Sequence, residues 1–466
     1  MHHPALPVRF RRTSRRAGMV ALLTAPAVWL SGAPARPAAP VVSPDAASAT
    51  FRTQVAVERH AIRLAARPEV QAVLRQVEAD WRRRSPGLSP ESYGELPDSL
   101  RELLFLVTLQ VIDDDPRRPE VIEISSAPHR WGGFSVPGGR WGINNPDTLY
   151  FTIPVERGSS YVITGRRHGA GPIDANFTVQ TGADWIAADN LAQPDLKIDP
   201  DGTFRITVDD QPASGRPNHL RISGAANVVL VRNTLADWSR EQPDTLSVER
   251  VSGPSAGPPV TDAILAQRII ARLRVVVDHS IDGVLGRALR QPLDVIPQPG
   301  SAADKPGFLV TQRNTLGHFR LADDEALVAT FDPGGARYAT FPVTNVWGVS
   351  PDSRMHQNSL NSSQAVADPE GTITVVLSNW DPGVANWVDA AGLREGIVML
   401  RWQLLDKTAE GNKGPAVTAR VVKRDALWAA LPTSTRRVTP EERLAQARTR
   451  SAGYDRRFTS RARSDS

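Results

Sequence analysis

Apolar residues recur every three or four positions in three stretches of the chain, and this spacing predicts helices. The first stretch covers 54–84, where Pro68 ends one helix or opens the next. The second, 98–112, is apolar nearly all round, so we expect a buried helix. The third is a long helix over 261–289, which Thr261 or Asp262 is suited to cap.

Elsewhere the pattern changes to short β-like runs separated by Gly, Pro, Asn and Asp turns. These runs fill 121–251 and resume over 291–431. Their spacing suits β-sandwiches with long connections. The sequence therefore predicts a mainly β protein with α additions, in which two jelly-roll-like β-sandwich units flank a linker and long helix at 252–290. The helical region at 51–120 precedes both units.

The two β regions contain a repeated pattern. In each, a turn glycine precedes a strand, a loop ends in Asn, and an apolar strand ends in Arg. The matched positions are Gly202 with Gly371, Asn218 with Asn386, and Arg232 with Arg401, at offsets of 169, 168 and 169. Tyr161 and Tyr338 begin the two stretches in this alignment. A nearly constant offset predicts that one unit is written twice.

Both repeated polar residues have a structural interpretation and a functional one. The Asn can close its own loop by hydrogen bonding to backbone groups. The Arg can pair with a carboxylate or with loop carbonyls. We favour these structural roles over ligand contact, and the second alternative stays open.

Charge is concentrated at the two ends of the 466-residue chain, which has 55 Lys+Arg, 50 Asp+Glu and a formal net charge of +5. Residues 1–35 contain five Arg and no acid, and the segment from Thr433 contains nine Arg and four acids. The body between them has a net charge of −5. A nucleic-acid-binding protein would be expected to have a basic face on its folded body, so we predict no nucleic-acid partner.

The first 35 residues are typical of an export signal, because arginines precede an apolar stretch at 17–30 and an A-x-A-type site at 33–35. Ser14-Arg15-Arg16 fits a twin-arginine signal. The alternative is an uncleaved anchor. We expect an exported protein of the periplasm, cell envelope or extracellular space, with no transmembrane segment in its mature chain. A Pro/Ala/Ser linker at 36–50 should follow, and the basic tail at 432–466 should be disordered or a loose helix around 441–448.

Several short motifs of the β regions agree in order and spacing with a known family. They are Asn144-Asn145-Pro146-Asp147 with Tyr150, Tyr161 with Gly165, Asp201-Gly202, Asn345 with Trp347-Gly348, Asp381 with Gly383, Asn386-Trp387 and Arg401-Trp402. Over roughly 120–405 the chain resembles the bacterial family known as domain of unknown function 1214, often found beside domain of unknown function 1254. The resemblance implies jelly-roll-like sandwiches with helical additions and brings no catalytic residues with it. The chain departs from a single-copy pattern by carrying the β unit twice.

Few residues point to a specific chemistry. The chain has no Cys, and its nine His form neither H-x-H nor H-E-x-x-H, so we predict no metal site and no cofactor. The acidic run Asp113-Asp114-Asp115 is either a calcium site or, as we favour, a solvent-exposed helix end. Eleven Trp are present, several of them beside polar turn residues. Such Trp side chains either stack on sugar rings or fill the sandwich cores, and the second is the commoner case.

These observations leave three functional hypotheses. The first is a binding or envelope-associated module for a polar, ring-containing ligand such as a glycan. The second is a hydrolase with an acid-lined cleft between the sandwiches, using acids such as Asp147 or Asp381. The third is a structural envelope protein that self-associates as a homo-oligomer. Acids with raised pKa values in a shared cleft would favour the enzyme, and exposed Trp faces without them would favour the binder. No catalytic residue is assigned. The candidate ligand-binding residues are Asn145, Asp147, Tyr150, Asn218, Arg232, Asn345, Trp347, Asp381, Asn386, Trp387 and Arg401.

Overall fold

A computed structural model describes residues 49–463, apart from positions 132, 183, 304 and 407–413. The predicted export signal at 1–35 and nearly all of the predicted linker at 36–50 lie outside these residues. Across the part of the chain that is described, no helix combines the length and apolar character needed to cross a bilayer.

Three helices precede the β regions: α1 Ala49–Ala65, α2 Pro68–Arg84 and α3 Pro90–Ile112. Pro68 is the first residue of α2, where its missing N–H costs nothing, so the predicted segment 54–84 is two helices. Helix α3 begins eight residues earlier than predicted. The cause is Ser89, whose side chain accepts a hydrogen bond from the Ser92 backbone N–H at 3.1 Å, next to Pro90 at the first helical position.

The first β-sandwich pairs a five-stranded sheet, β1-β4-β10-β6-β7, with a four-stranded sheet, β11-β5-β8-β9; β2 and β3 form a separate hairpin. The strands are β1 Ile122–Glu123, β2 His129–Trp131, β3 Phe134–Val136, β4 Thr148–Pro154, β5 Ser160–Arg166, β6 Asp174–Gln180, β7 Ala187–Ala192, β8 Thr203–Asp209, β9 His219–Arg221, β10 Val228–Thr234 and β11 Thr245–Ser252. Its core lies between the two sheets.

The second β-sandwich follows α4 Asp262–Asp282 and α5 Val284–Leu289, which together match the predicted helix at 261–289. Its sheets are β12-β13-β19-β15-β16 and β18-β17-β14-β20. The strands are β12 Gly300–Ser301, β13 Arg313–Arg320, β14 Glu325–Asp332, β15 Ala336–Thr344, β16 Ser359–Asn361, β17 Ile373–Ser378, β18 Trp387–Asp389, β19 Glu395–Leu405 and β20 Ala416–Lys423. Both sandwiches therefore have the same strand order, and the predicted fold class is confirmed.

The duplication extends to the turn glycines and to the pairing of the strands that follow them. Gly202 and Gly371 both have φ near +85°, and each stands shortly before the corresponding strand, β8 or β17. Each following strand pairs in parallel with a short strand, β9 or β18. The predicted match of Tyr161 with Tyr338 is wrong, because Tyr161 lies in β5, whose counterpart is β14, whereas Tyr338 lies in β15. An alignment of the two units that starts from these tyrosines is therefore displaced by one strand.

The basic tail differs from its prediction. The short helix α6, Leu427–Ala430, precedes the tail. The tail itself contains the helix α7, Pro440–Arg463, so disorder is wrong for this part and the alternative of a helix around 441–448 is too short. The reason is tertiary, since Arg450, Tyr454 and Arg457 are buried. Arg450 and Arg457 both place their guanidinium groups over the ring of Trp238, at 4.4 and 4.1 Å from its centroid.

A further hydrophobic cluster joins the helices to both sandwiches. It contains residues of α2, α3 and α4 together with Trp141 from the first unit and Trp347 and Met399 from the second. The two sandwiches and the helices thus share buried surface, and this arrangement positions the cavity described next.

Candidate functional site

A cavity of about 370 Å³ lies between the two five-stranded sheets. This volume falls within the range of roughly 300–1,000 Å³ that is common for small-molecule sites. The central strands β10 and β19, which are counterparts in the repeat, both contribute to its wall. Loops around 141–145, 182–186 and 306–309 and the ends of α3, α4 and α5 complete it.

The alternation of side chains along β10 and β19 explains which residues face the cavity. On β10, Val229 and Val231 enter the core of the first sandwich, while Arg232 lines the cavity. On β19, Leu400 enters the core of the second sandwich, while Arg401 lines the cavity. The repeat therefore places two equivalent arginines in one cavity.

Both guanidinium groups are buried and bound only by neutral groups. Arg232 donates to Thr178 Oγ1 at 3.3 Å and to the Gly307 carbonyl at 3.1 Å. Arg401 donates to the Met399 carbonyl at 3.2 Å and to the Ile143 carbonyl. Among the described residues, neither arginine has a carboxylate oxygen within ion-pair distance. Each arginine also reaches a carbonyl that belongs to the opposite half of the repeat.

Burial of two arginines in one cavity has an electrostatic cost. Burial lowers the pKa of Arg232, and the positive charge of Arg401 lowers it further, against the opposing effects of Tyr150 and Asp174. Burial also lowers the pKa of Arg401. Asp147 acts against this effect on Arg401, but neither arginine forms an ion pair among the described residues. Two buried like charges without such contacts are unfavourable, and an anion bound by both would offset that cost.

Tyr150 lies next to the arginines, since it is the cross-strand partner of Arg232 and lines the cavity. Its hydroxyl oxygen accepts a hydrogen bond from the Asn145 backbone N–H at 3.0 Å. In the described part of the chain no acceptor takes the hydroxyl proton, so it is available to a ligand.

Trp141 and Trp185 form an aromatic wall, with ring centroids 6.3 Å apart. Trp141 is only 4% exposed, and its indole N–H has no hydrogen-bond partner among the described residues. Trp185 has φ of +57° and Ile143 has φ of +53°. Positive φ is costly for bulky and β-branched residues, and strain of this kind is concentrated at binding sites.

Asp113 and Asp114 line the cavity from the end of α3. Asp113 is buried, so its predicted solvent exposure is wrong, because the helix end is covered by β4 and its neighbours. Thr152 donates to Asp113 Oδ2 at 3.0 Å, and burial raises the pKa of Asp113 well above its usual value. Burial also raises the pKa of Asp114, although Arg272, at 3.7 Å, acts against it. Within the described residues, no group of three or more acidic or His side chains is arranged to hold a metal.

Four of the residues predicted from the sequence line this cavity: Asn145, Tyr150, Arg232 and Arg401. The side chain of Asn145 is itself engaged, donating to the Tyr338 hydroxyl at 2.8 Å and accepting from the Asp147 backbone N–H at 3.2 Å. It holds the loop that carries Tyr150.

Asp147, Asn345 and Trp347 lie in the interior instead. Asp147 is fully buried and accepts from Trp238 Nε1 and from the hydroxyls of Tyr338 and Thr340. Asn345 donates to Ser99 Oγ, and Trp347, at 0% exposure, donates to the Ser92 carbonyl. These side chains connect the units to one another and to α3.

Asn218 and Asn386 each close their own loop in the same way. The side chain of Asn218 accepts from the Lys197 backbone N–H and donates to the Lys197 carbonyl, at 2.8 and 2.7 Å. Asn386 makes the identical pair with Val366, at 2.8 and 2.7 Å.

Asp381 and Trp387 both contact Arg443 of the tail helix α7. Asp381 forms an ion pair with Arg443 at 2.8 Å. The Arg443 guanidinium also lies 5.0 Å from the ring centroid of Trp387. Neither residue lines the cavity between the sandwiches.

Three residues that line the cavity, Trp141, Trp185 and Asp113, are not among the site residues predicted from the sequence. The two tryptophans are members of the Trp-rich set, and Asp113 is one of three consecutive acids. A usable signal for Asp113 was the buried, all-apolar helix that it terminates, since a carboxylate at the end of such a helix is carried into the interior.

The fold has a counterpart among solved structures. An uncharacterised protein from Burkholderia cenocepacia aligns with a TM-score of 0.67 and 25% identity, over 78% of this chain and 99% of that one. The VPA0106 protein from Vibrio parahaemolyticus aligns at 0.39 and 10% identity, over 70% of this chain and 98% of that one. Recombinant pro-11S globulin of pumpkin aligns at 0.16 and 10%, over 60% and 80%. Alignments as weak as the last two support no statement about fold or function.

No protein-family model and no curated protein matches the chain. The resemblance to domain of unknown function 1214 therefore stays a prediction. The Burkholderia protein shares the fold over almost its whole length, but its description assigns no activity. The residues of the cavity must carry any functional argument.

Proposed function

We propose that this protein binds an anionic, ring-containing small molecule in the cavity between its two sandwiches, and that it acts outside the cytoplasm after export. The observation that carries the proposal is the pair Arg232 and Arg401. Both are buried and line the same cavity, the charge of Arg401 lowers the pKa of Arg232, and neither has a carboxylate partner among the described residues. An arginine fork can hold a carboxylate through two parallel hydrogen bonds.

The surroundings support an anion over a neutral ligand. Arg272 and Arg287 also line the cavity and add positive charge; among the described residues, only Arg272 lies within ion-pair distance of an acid, Asp114. The Tyr150 hydroxyl adds a neutral donor beside the arginine pair. Trp141 and Trp185 offer flat apolar surface to a ring. The ring-binding part of the proposal therefore rests on these tryptophans, and not on Trp347 or Trp387.

The test is calorimetric titration of the purified protein with matched charged and neutral probes, benzoate against benzamide and glucuronate against glucose. We expect at least one acid to bind at least about tenfold tighter than its neutral partner, because only the acid compensates the two arginines. Arg401→Gln should remove this preference, and Arg420→Gln, an exposed arginine on β20, is the matched control. Equal affinity for acid and neutral probes, or no effect of Arg401→Gln, would contradict the proposal.

A hydrolase that uses the same cavity is the second candidate. The observation that favours it is Asp113, a cavity carboxyl whose pKa burial raises, beside Asp114, which Arg272 helps to keep ionised. A neutral Asp113 would protonate the leaving-group oxygen, and Asp114 would accept the proton of the attacking water. Turnover of nitrophenyl ester or glycoside probes that is lost in Asp113→Asn, with probe binding retained, would support this alternative. Self-association as an envelope protein stays a prediction.

A further inference from the structure

The cavity has a second polar end, separated from the arginines by a short apolar span. Tyr150 and Thr152 lie on the same face of β4, and both line the cavity. Residues two apart in a strand are separated by about 7 Å. Tyr150 stands beside Arg232, whereas Thr152 holds Asp113. The distance between the two polar ends is therefore roughly the length of one six-membered ring with its substituents.

The second end presents groups that accept or share a proton. Gln110 and Asp113 are three residues apart near the end of α3, so they lie on the same helix face, and both line the cavity. Gln110 Oε1 is buried without a hydrogen-bond partner in the described structure. An unpaired buried carbonyl oxygen costs free energy that a ligand hydroxyl would recover. The Asp113 oxygen Oδ2 is already bound to Thr152.

Apolar side chains also line the cavity. They are Leu106, Ile124, Ile143, Leu230, Phe308 and Met399. A sugar carries hydroxyls around its whole ring, and several of them would be desolvated against these side chains without partners. A flat hydrocarbon ring would instead bury its faces against them and against Trp141. Free phosphate would occupy the arginine end alone.

From this arrangement we infer that the ligand is a hydroxylated aromatic carboxylate, with its carboxylate between Arg232 and Arg401 and its hydroxyl directed to Gln110 and Asp113. This inference depends on the proposed function, because it assigns the anion to the same arginine pair. It adds the aromatic body and the hydroxyl at the opposite end.

The experiment titrates the full chain with 4-hydroxybenzoate, benzoate, glucuronate and inorganic phosphate under one buffer condition. We expect 4-hydroxybenzoate to bind tightest, at least about tenfold tighter than benzoate, since only its hydroxyl satisfies Gln110. Gln110→Leu should bring the ratio of these two affinities close to one. Thr152→Val, which removes the hydroxyl that holds Asp113, should reduce the same ratio without deleting a side chain from α3.

The outcomes separate this inference from the proposed function. Tighter binding of glucuronate or of phosphate than of 4-hydroxybenzoate would overturn the inference and leave anion binding standing. Equal affinities for benzoate and 4-hydroxybenzoate in the unmodified protein would also overturn it, because the second polar end would then recognise nothing. Failure of all four probes to bind would overturn both.

Discussion

The two sandwiches use their repeated residues in two different ways. Asn218 and Asn386 make the same hydrogen bonds to the backbone of their own units. Arg232 and Arg401 instead reach the Gly307 and Ile143 carbonyls, each in the opposite half of the molecule. Two pairs of residues that are repeated alike in the sequence thus have different roles: the asparagines close local loops, and the arginines line a shared cavity.

The units also differ at the start of their central strands. Glu395, the first residue of β19, corresponds by the offset of the repeat to Ala226, just before β10. Glu395 accepts hydrogen bonds from the Ser89 backbone and Ser92 side chain of the α3 start, and from His318. The second sandwich is therefore tied to α3 by a buried carboxylate that the first unit lacks at the equivalent position.

The largest expected effect comes from breaking the arginine pair. The double variant Arg232→Gln with Arg401→Gln should weaken binding of an anionic probe about 100-fold or more, a loss of about 3 kcal/mol, because both charge-assisted contacts are removed. The empty protein should be as stable as the unmodified one or more so, since two buried charges are relieved. Calorimetry and thermal unfolding measure the two quantities. Loss of folding together with loss of binding would indicate that the arginines are structural.

Replacing Glu395 by the residue of the other unit, Glu395→Ala, should lower the free energy of unfolding by about 3 kcal/mol, because His318 and the α3 start lose a buried partner. Denaturant titration measures this change. The variant Ala226→Ser is a control at the matched position of the first unit and should have a much smaller effect.

The same carboxylate predicts a pH dependence. Burial alone would raise the pKa of Glu395, but hydrogen bonds from His318, the Ser89 backbone and Arg320 lower it to about 2, from 4.5. Because the pKa is lower in the folded state, the stabilisation is complete above pH 4.5 and is lost as the pH falls towards 2. Glu395→Gln should flatten this part of the stability profile. An unchanged slope between pH 4.5 and 2 would refute the assignment.

Substitutions of the loop-closing residues Asn218 and Asn386 compare the two units directly, and their expected effects on stability are similar or smaller. Asn218→Ala removes two hydrogen bonds to backbone groups and Asn386→Ala removes three, so they should cost about 2 and about 3 kcal/mol of stability. Asn218 has φ of +47°, whereas Asn386 is not among the residues with positive φ. Asn218→Gly should therefore be milder than Asn218→Ala by about 1 kcal/mol, with no such difference at position 386. An equal difference between the Gly and Ala variants at both positions would remove this distinction.

The smallest expected effects on affinity are at two tryptophans: Trp141, which lines the cavity, and Trp387, which does not. Trp387→Ala should leave probe affinity unchanged, since Trp387 packs under Arg443 outside the cavity. Trp141→Phe should weaken binding about threefold, because the ring remains but its N–H is lost. Quenching of tryptophan fluorescence by the probe checks both variants. A larger loss of affinity in Trp387→Ala than in Trp141→Phe would place the ligand elsewhere.

Periodicity, turn residues and the constant offset determined the helices, the two sandwiches and the repeat, because local spacing alone decides which face of an element is apolar. The offset also selected Arg232 and Arg401, and the motifs that resemble domain of unknown function 1214 selected Tyr150; all three line the cavity. Only the tertiary structure decided that Trp347 and Asp147 are interior, that the tail helix α7 is long and packs on Trp238, and that Asp113 enters the cavity. Those outcomes depend on which surfaces of distant elements pack together, and residue spacing along one chain carries no information about the distance between two sheets.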